Sequence, residues 1–176
     1  MKSRTRTEMA AFNLGAGTML AAIAVLLAAF GFQHIGGYVP CELCYLQRIP
    51  YYIAIPVLFV ALTLITAQYP RVSALLFFLA ALAFLANAGI GVYQAGVEWK
   101  YWPGPASCSG EQAIAQQAGG LLDALKKTSV VRCDVPQFRM FGLSFAGWNV
   151  LVSFGLFVMA LQAAFRAAPD NREPSI

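Results

Sequence analysis

Charge is scarce in this chain. Only 11% of its 176 residues are Asp, Glu, Lys or Arg, less than half the roughly 25% of an ordinary soluble domain. Its placement excludes a soluble domain altogether. Met9–Gln33, Ile49–Pro70, Val72–Val97 and Met140–Phe165 contain no charged residue, in runs of 25, 22, 26 and 26 residues. About 20 apolar residues cross a bilayer core as a helix. In lipid each backbone polar group must find its partner within the segment, so each run is expected to be helical. Cysteine is also missing from all four runs. A free cysteine is ordinarily a small buried hydrophobe, so its exclusion from the spans points away from simple packing. Internal repeats, low-complexity tracts and a nucleic-acid-binding basic patch are absent too; the net charge of +4 is accounted for by residues flanking the spans.

The fold class expected is an all-α integral membrane protein, a four-transmembrane-helix bundle forming one domain over residues 1–176. Spans are expected at about 10–32, 45–67, 72–93 and 143–165, with outer loops at 33–44 and 94–142 and a disordered polar tail at 167–176. Met1–Glu8 is basic and precedes an apolar run, as in a signal peptide. That run is longer than a signal core and ends without a small-residue cleavage site, so it reads as a retained helix. Gly36-Gly37 should stop the first helix, Pro56 should kink the second, and Ala67–Arg71 should form a tight turn. His34 reads as an interfacial residue. Within the second loop, Ile114, Ala118, Leu121, Leu122 and Leu125 recur at near-helical spacing, predicting a short amphipathic helix on the membrane.

Four spans put both termini on one side. The twelve basic residues divide six to six, with Lys2, Arg4, Arg6, Arg71, Arg166 and Arg172 on the terminal side. The short basic N-terminal flank outweighs charges in a long loop, which places the termini in the cytoplasm. All four cysteines then share the opposite, outer face.

The chemistry is densest at Pro40-Cys41-Glu42-Leu43-Cys44-Tyr45-Leu46-Gln47-Arg48. A C-x-x-C pair closes a disulfide, shares a metal or attaches a haem; the haem reading needs His directly after the second Cys, where Tyr45 stands. Zinc is disfavoured because Cys108 and Cys133 are far apart and have no nearby His, so no metal is expected. A 108–133 bridge could act as a static staple worth roughly 3–4 kcal/mol by loop closure. A C-x-x-C bridge encloses too little chain to be a staple. Arg48, four residues past Cys44, is expected on the same helical face, where it and the helix N-terminus would favour a Cys44 thiolate. The competing reading of Arg48 is a snorkelling interfacial side chain.

Phe32-Gln33-His34 and the Pro40–Arg48 segment resemble the first outer loop and second helix of the disulfide-bond formation protein B (DsbB) family. Trp102-Pro103-Gly104-Pro105-Ala106-Ser107-Cys108, and Cys133-Asp134 leading to Gly142-Leu143-Ser144, are similar to its second outer loop. The resemblance implies an inner-membrane oxidoreductase that reoxidises a periplasmic, DsbA-like thioredoxin-fold oxidase and passes the electrons to ubiquinone or menaquinone. That pathway is a property of the bacterial DsbA–DsbB–quinone system. It further implies four catalytic cysteines. Cys108 and Cys133 form the disulfide that the partner attacks at Cys108. A transient Cys41–Cys133 bridge then reduces the Cys41–Cys44 bond, and Cys44, aided by Arg48, delivers electrons to the quinone. Relatives often carry a histidine after the third helix; here Gln94 stands in that segment, and an amide cannot carry a proton. Three other readings differ in function: a specialised paralogue serving one client oxidase, a vitamin K epoxide reductase-like enzyme, and a non-enzymatic thiol- or metal-handling membrane protein. In the second, the redox C-x-x-C ordinarily follows the loop pair, the reverse of the order here.

Overall fold

A computed structural model describes residues 6–105, 133, 135–136 and 138–168. Within them, four helical stretches are long and apolar enough to cross a membrane. Helix α1 spans Arg6–His34, and the second stretch is divided into α2 (Glu42–Leu46) and α3 (Ile49–Thr66). Helix α4 spans Pro70–Glu98 and α5 spans Phe145–Ala167. The helices pack together as a bundle, as the charge-free runs require.

Several boundaries differ from the sequence expectation for identifiable reasons. The second span breaks at Gln47–Arg48 because Pro50 occupies the first turn of α3, where its missing N–H and fixed φ suit a helix start and not a continuation. Helix α4 runs five residues past the expected end at 93, because no Gly-Pro punctuation intervenes; it stops only where Lys100 takes a positive φ of 61°. Gln94 and Glu98 therefore lie on a helix and not in a loop. Between α3 and α4, Gln68 turns the chain at φ 64° before Pro70 opens the next helix. Ahead of α5, strands β1 (Arg139–Met140) and β2 (Leu143–Ser144) pair antiparallel. Phe141 and Gly142 have positive φ values of 52° and 83°, the backbone that a two-residue hairpin turn demands. Ser144 then caps α5, its Oγ accepting from Gly147 N at 3.3 Å. Cys108 and the expected amphipathic helix near Ile114–Leu125 lie outside the described residues, as does the chain from 169 onward.

The bundle core is built largely of small residues. Ala11, Ala22, Ala54, Ala61, Ala80 and Ala160 are almost wholly buried, alongside Leu58, Phe77 and Phe84. Lipid is as apolar as leucine, so helices associate by close backbone approach, which small side chains permit. Phe77 rests on Gly15, where an added Cβ would stand 2.5 Å from its Cε1. Ser73 Oγ donates to Ala61 O at 2.8 Å and ties α4 to α3 near their turn. Large apolar side chains such as Leu20, Leu27, Phe59 and Phe154 point outward, as a lipid-facing surface requires.

Candidate functional site

One end of the bundle is built differently. The chain leaves α1 through Gly36-Gly37, with Gly37 at φ 71°, and delivers Cys41 as the N-cap of α2. Its Sγ accepts from Cys44 N at 3.4 Å. The geometry of a single helical turn brings the two sulfurs of C-x-x-C to 2.7 Å apart, both as free thiols. Cys41 is buried and Cys44 is partly exposed. A hydrogen bond to Cys44, followed by burial, pushes the Cys41 thiol well above the ordinary range. A thiol so held is reluctant to ionise, and the partly exposed Cys44 is the sulfur more accessible from the cavity.

Cys133 is almost fully buried and packs in one small apolar cluster with Cys41 and Leu43, against which Cys44 also rests. It is itself engaged in a disulfide. Three of the four sequence-predicted cysteines are therefore brought together; the fourth, Cys108, is outside the described residues. Among the described residues no group of three His, Cys, Asp or Glu side chains could hold a metal ion.

The thiols open onto a cavity of about 380 Å³. Val25, Leu26, Ala29 and Val152 give it apolar walls, and Phe32, Tyr38, Phe138 and Phe145 form a connected aromatic cluster at its rim. Polar groups converge on the remaining side. Gln94 Nε2 lies 3.6 Å from Cys41 Sγ and 3.5 Å from Cys44 Sγ, donating toward both. Its Oε1 accepts from Gln47 Nε2 at 2.7 Å, and Gln47 Oε1 accepts from Asn149 Nδ2 at 2.8 Å. Asn149 Oδ1 accepts from Tyr51 OH at 2.9 Å, and the chain continues through Ser153 Oγ to Asn87 Nδ2. Such a chain satisfies groups that lipid would leave unpaired, and each member orients the next.

Arg48 lines the same cavity as Cys44. Its Nη1 donates to Gln33 Oε1 at 2.6 Å, and its guanidinium lies 5.2 Å from the Phe30 ring and 5.4 Å from the Tyr45 ring. It is about 9% exposed, which is not the posture of a snorkelling side chain reaching for water. His34 stacks on Phe30 at 6.1 Å and takes no part in the cavity. Sequence reasoning passed over Gln33, Gln47, Asn149 and Glu98. The usable signal was polar side chains inside otherwise apolar spans, which are rare unless they do something.

Comparison with known proteins agrees with this arrangement. The family described as "Disulfide bond formation protein DsbB" matches residues 13–163, which takes in most of every span, all four cysteines and the cavity lining. No curated protein and no solved structure matches the chain. With most of its length matched, this multi-pass membrane chain belongs to the DsbB family of disulfide-bond-forming proteins.

Proposed function

We propose that the chain is an inner-membrane oxidoreductase that reoxidises a DsbA-like periplasmic thioredoxin-fold oxidase and passes the electrons through two cysteine pairs to a membrane quinone. The observation that carries this reading is the burial of Cys133, a disulfide-bonded residue of the second outer segment, against Cys41 and Cys44 of the first. Disulfide exchange needs contact between sulfurs and an attacking thiolate, and two distant segments of chain have no other reason to meet there.

In the order proposed, the reduced partner attacks the Cys108–Cys133 disulfide at Cys108. Its second thiol then displaces Cys108 and leaves as a disulfide, and the Cys108–Cys133 pair is left reduced. Cys133 attacks Cys41 of the Cys41–Cys44 disulfide and frees Cys44. Cys108 resolves the transient Cys41–Cys133 bridge, restoring the outer disulfide and leaving two thiols at Cys41 and Cys44. Two electrons and two protons have then moved from the partner to the membrane-edge pair. A quinone, ubiquinone or menaquinone, supplies the two-electron acceptor that regenerates the Cys41–Cys44 bond.

The residues present fit such a group. Apolar walls take a ring and its hydrocarbon tail, as in most small-molecule sites. The Arg48 guanidinium, held by Gln33 and flanked by two aromatic rings, is a fixed donor suited to a carbonyl oxygen. Cys44, the more exposed of the pair, faces the same cavity. The cysteines are placed on the periplasmic side and both termini in the cytoplasm, in keeping with the basic N-terminal flank.

The test is anaerobic turnover of the purified protein with a reduced thioredoxin-fold oxidase and added quinone, followed by quinone absorbance. Loss of quinone absorbance in step with partner oxidation is expected. Partner oxidation with no change in quinone, or no partner oxidation at all, overturns the proposal.

A further inference from the structure

One buried ionisable side chain has no task in the sulfur exchange. Glu98 closes α4, is 7% exposed and lines the thiol cavity. Its Oε2 has no hydrogen-bond partner. A buried carboxylate oxygen without a partner is destabilising, and a leucine or methionine would fill the same space without that penalty. Packing therefore does not account for it.

Its neighbours indicate what does. Gln94, one helical turn earlier, donates toward both sulfurs, and Glu98 follows it on the same face of α4 and lines the same cavity. Glu98 and Cys44 are close enough for their charges to interact. Arg139 contributes positive charge from the hairpin without lining the cavity. Among the described residues, Tyr38, Arg48 and Tyr51 are the titratable or charged side chains that line it besides Glu98 and the cysteines, and α1 and α5 contribute none. Among the described residues, Glu98 is the cavity's one carboxyl group.

We propose that Glu98 is the proton acceptor for closure of the Cys41–Cys44 disulfide. Once the Cys44 thiolate has been consumed by an oxidant, Cys41 still carries its proton and can attack only after losing it. The Glu98 carboxylate takes that proton; the Cys41 sulfur then bonds to the Cys44 sulfur as the bond from Cys44 to the oxidant breaks and its electron pair departs. Glu98 afterwards returns the proton to the reduced oxidant or to water. This deepens the function proposed above and rests on it only in treating the pair as redox-active.

A small aromatic disulfide with a coloured leaving thiol tests this without partner or quinone. Mixed anaerobically with the full-length protein in which Cys41 and Cys44 are thiols and the Cys133 disulfide is kept closed, it releases one thiol when Cys44 attacks and a second when Cys41 closes the bond. In the wild type the closure rate should level off once the carboxylate is formed. In Glu98→Gln the ratio of the second rate to the first should fall about 100-fold, with closure now rising in proportion to hydroxide. Glu98→Asp should restore the level profile. An unchanged ratio in Glu98→Gln, or a ratio lowered while the wild-type pH profile persists, overturns the proposal. Should Glu98→Gln fail to fold, a wild-type closure rate that itself climbs in proportion to hydroxide overturns it as well. Because quinone and partner are absent from this assay, failure of the relay and failure of the Glu98 role are read separately.

Discussion

The two halves of the bundle solve opposite problems with the same four helices. Toward the α3–α4 turn, alanine and glycine let backbones approach until Phe77 sits on Gly15. Toward the thiols, the helices carry Gln, Asn, Ser and Tyr, and a cavity of about 380 Å³ remains between them. The first half is held mainly by contact, with the Ser73–Ala61 hydrogen bond as its one tie between α3 and α4 among the described residues. The second gives up contact for a space in which sulfur, amide and carboxyl groups can meet, and it pairs nearly every polar atom to tolerate the surrounding lipid. The exceptions are informative: among the described residues, only Asn87 Oδ1 and Glu98 Oε2 are buried side-chain polar atoms without partners. One stands at each end of the polar chain.

The sharpest way to break the comparison is to remove the chemistry from the open half. Cys44→Ser is expected to abolish quinone reduction, whereas Cys108→Ser abolishes partner oxidation and leaves the membrane-edge pair competent toward small oxidants. Quinone-coupled turnover persisting in Cys44→Ser would reject the relay. In the tight half, by contrast, substitution should cost stability and not chemistry. Gly15→Leu forces side-chain atoms into Phe77 and Leu62; overpacking of this kind is worth about 1–3 kcal/mol. Thermal unfolding in detergent should show a clear fall in Tm, with the partner and quinone KM values unmoved. An unaltered Tm would mean that the close approach at Gly15 is not maintained in the membrane protein.

The two halves also differed in how legible they were. Charge-free runs of 22 to 26 residues announced the spans, because a bilayer tolerates almost nothing else, and the C-x-x-C spacing announced the sulfur pair. The α2–α3 break was written in Pro50, whose place in the first turn of a helix has a fixed meaning. The end of α4 was harder to place, because no Gly-Pro signal stands near residue 93 and the helix runs on to a buried Glu98. Spacing set Arg48 beside Cys44, and both line the cavity, but it held no sign of the partners that fix the guanidinium, Gln33 on α1 with the Phe30 and Tyr45 rings. Contacts between segments a hundred residues apart, such as Gln47 with Asn149, leave no local trace at all.

A smaller effect separates positioning of an acceptor from sulfur chemistry. Arg48→Ala is expected to raise the apparent KM for quinone about tenfold, equivalent to about 1.4 kcal/mol, with the KM for the thiol partner changing much less. Gln33 and two aromatic rings hold the guanidinium, so Arg48→Lys should recover little: an ammonium cannot reproduce a planar donor set between two rings. Equal rises in both KM values would assign Arg48 to general support of the outer end.

The smallest effect tests whether the polar chain acts as one unit. Tyr51→Phe removes the hydroxyl that donates to Asn149 Oδ1 and lies 3.1 Å from Ser153 Oγ. Hydrogen bonds between membrane helices average only about 0.6 kcal/mol, so the direct loss of stability should be near that value and the bundle should remain folded. If the chain acts as a unit, however, loosening Asn149 also loosens Gln47 and, through it, the Gln94 amide that faces both sulfurs. Closure of the Cys41–Cys44 bond should then slow by a few-fold in Tyr51→Phe, although the substituted hydroxyl makes no hydrogen bond to either thiol. A double-mutant cycle with Gln94→Leu decides the matter. Strictly additive effects on the closure rate would show that the amides near the sulfurs are held locally and that the deeper polar groups serve only to fill the bundle; a coupling above about 0.5 kcal/mol would show that the open half of the molecule is braced from its middle.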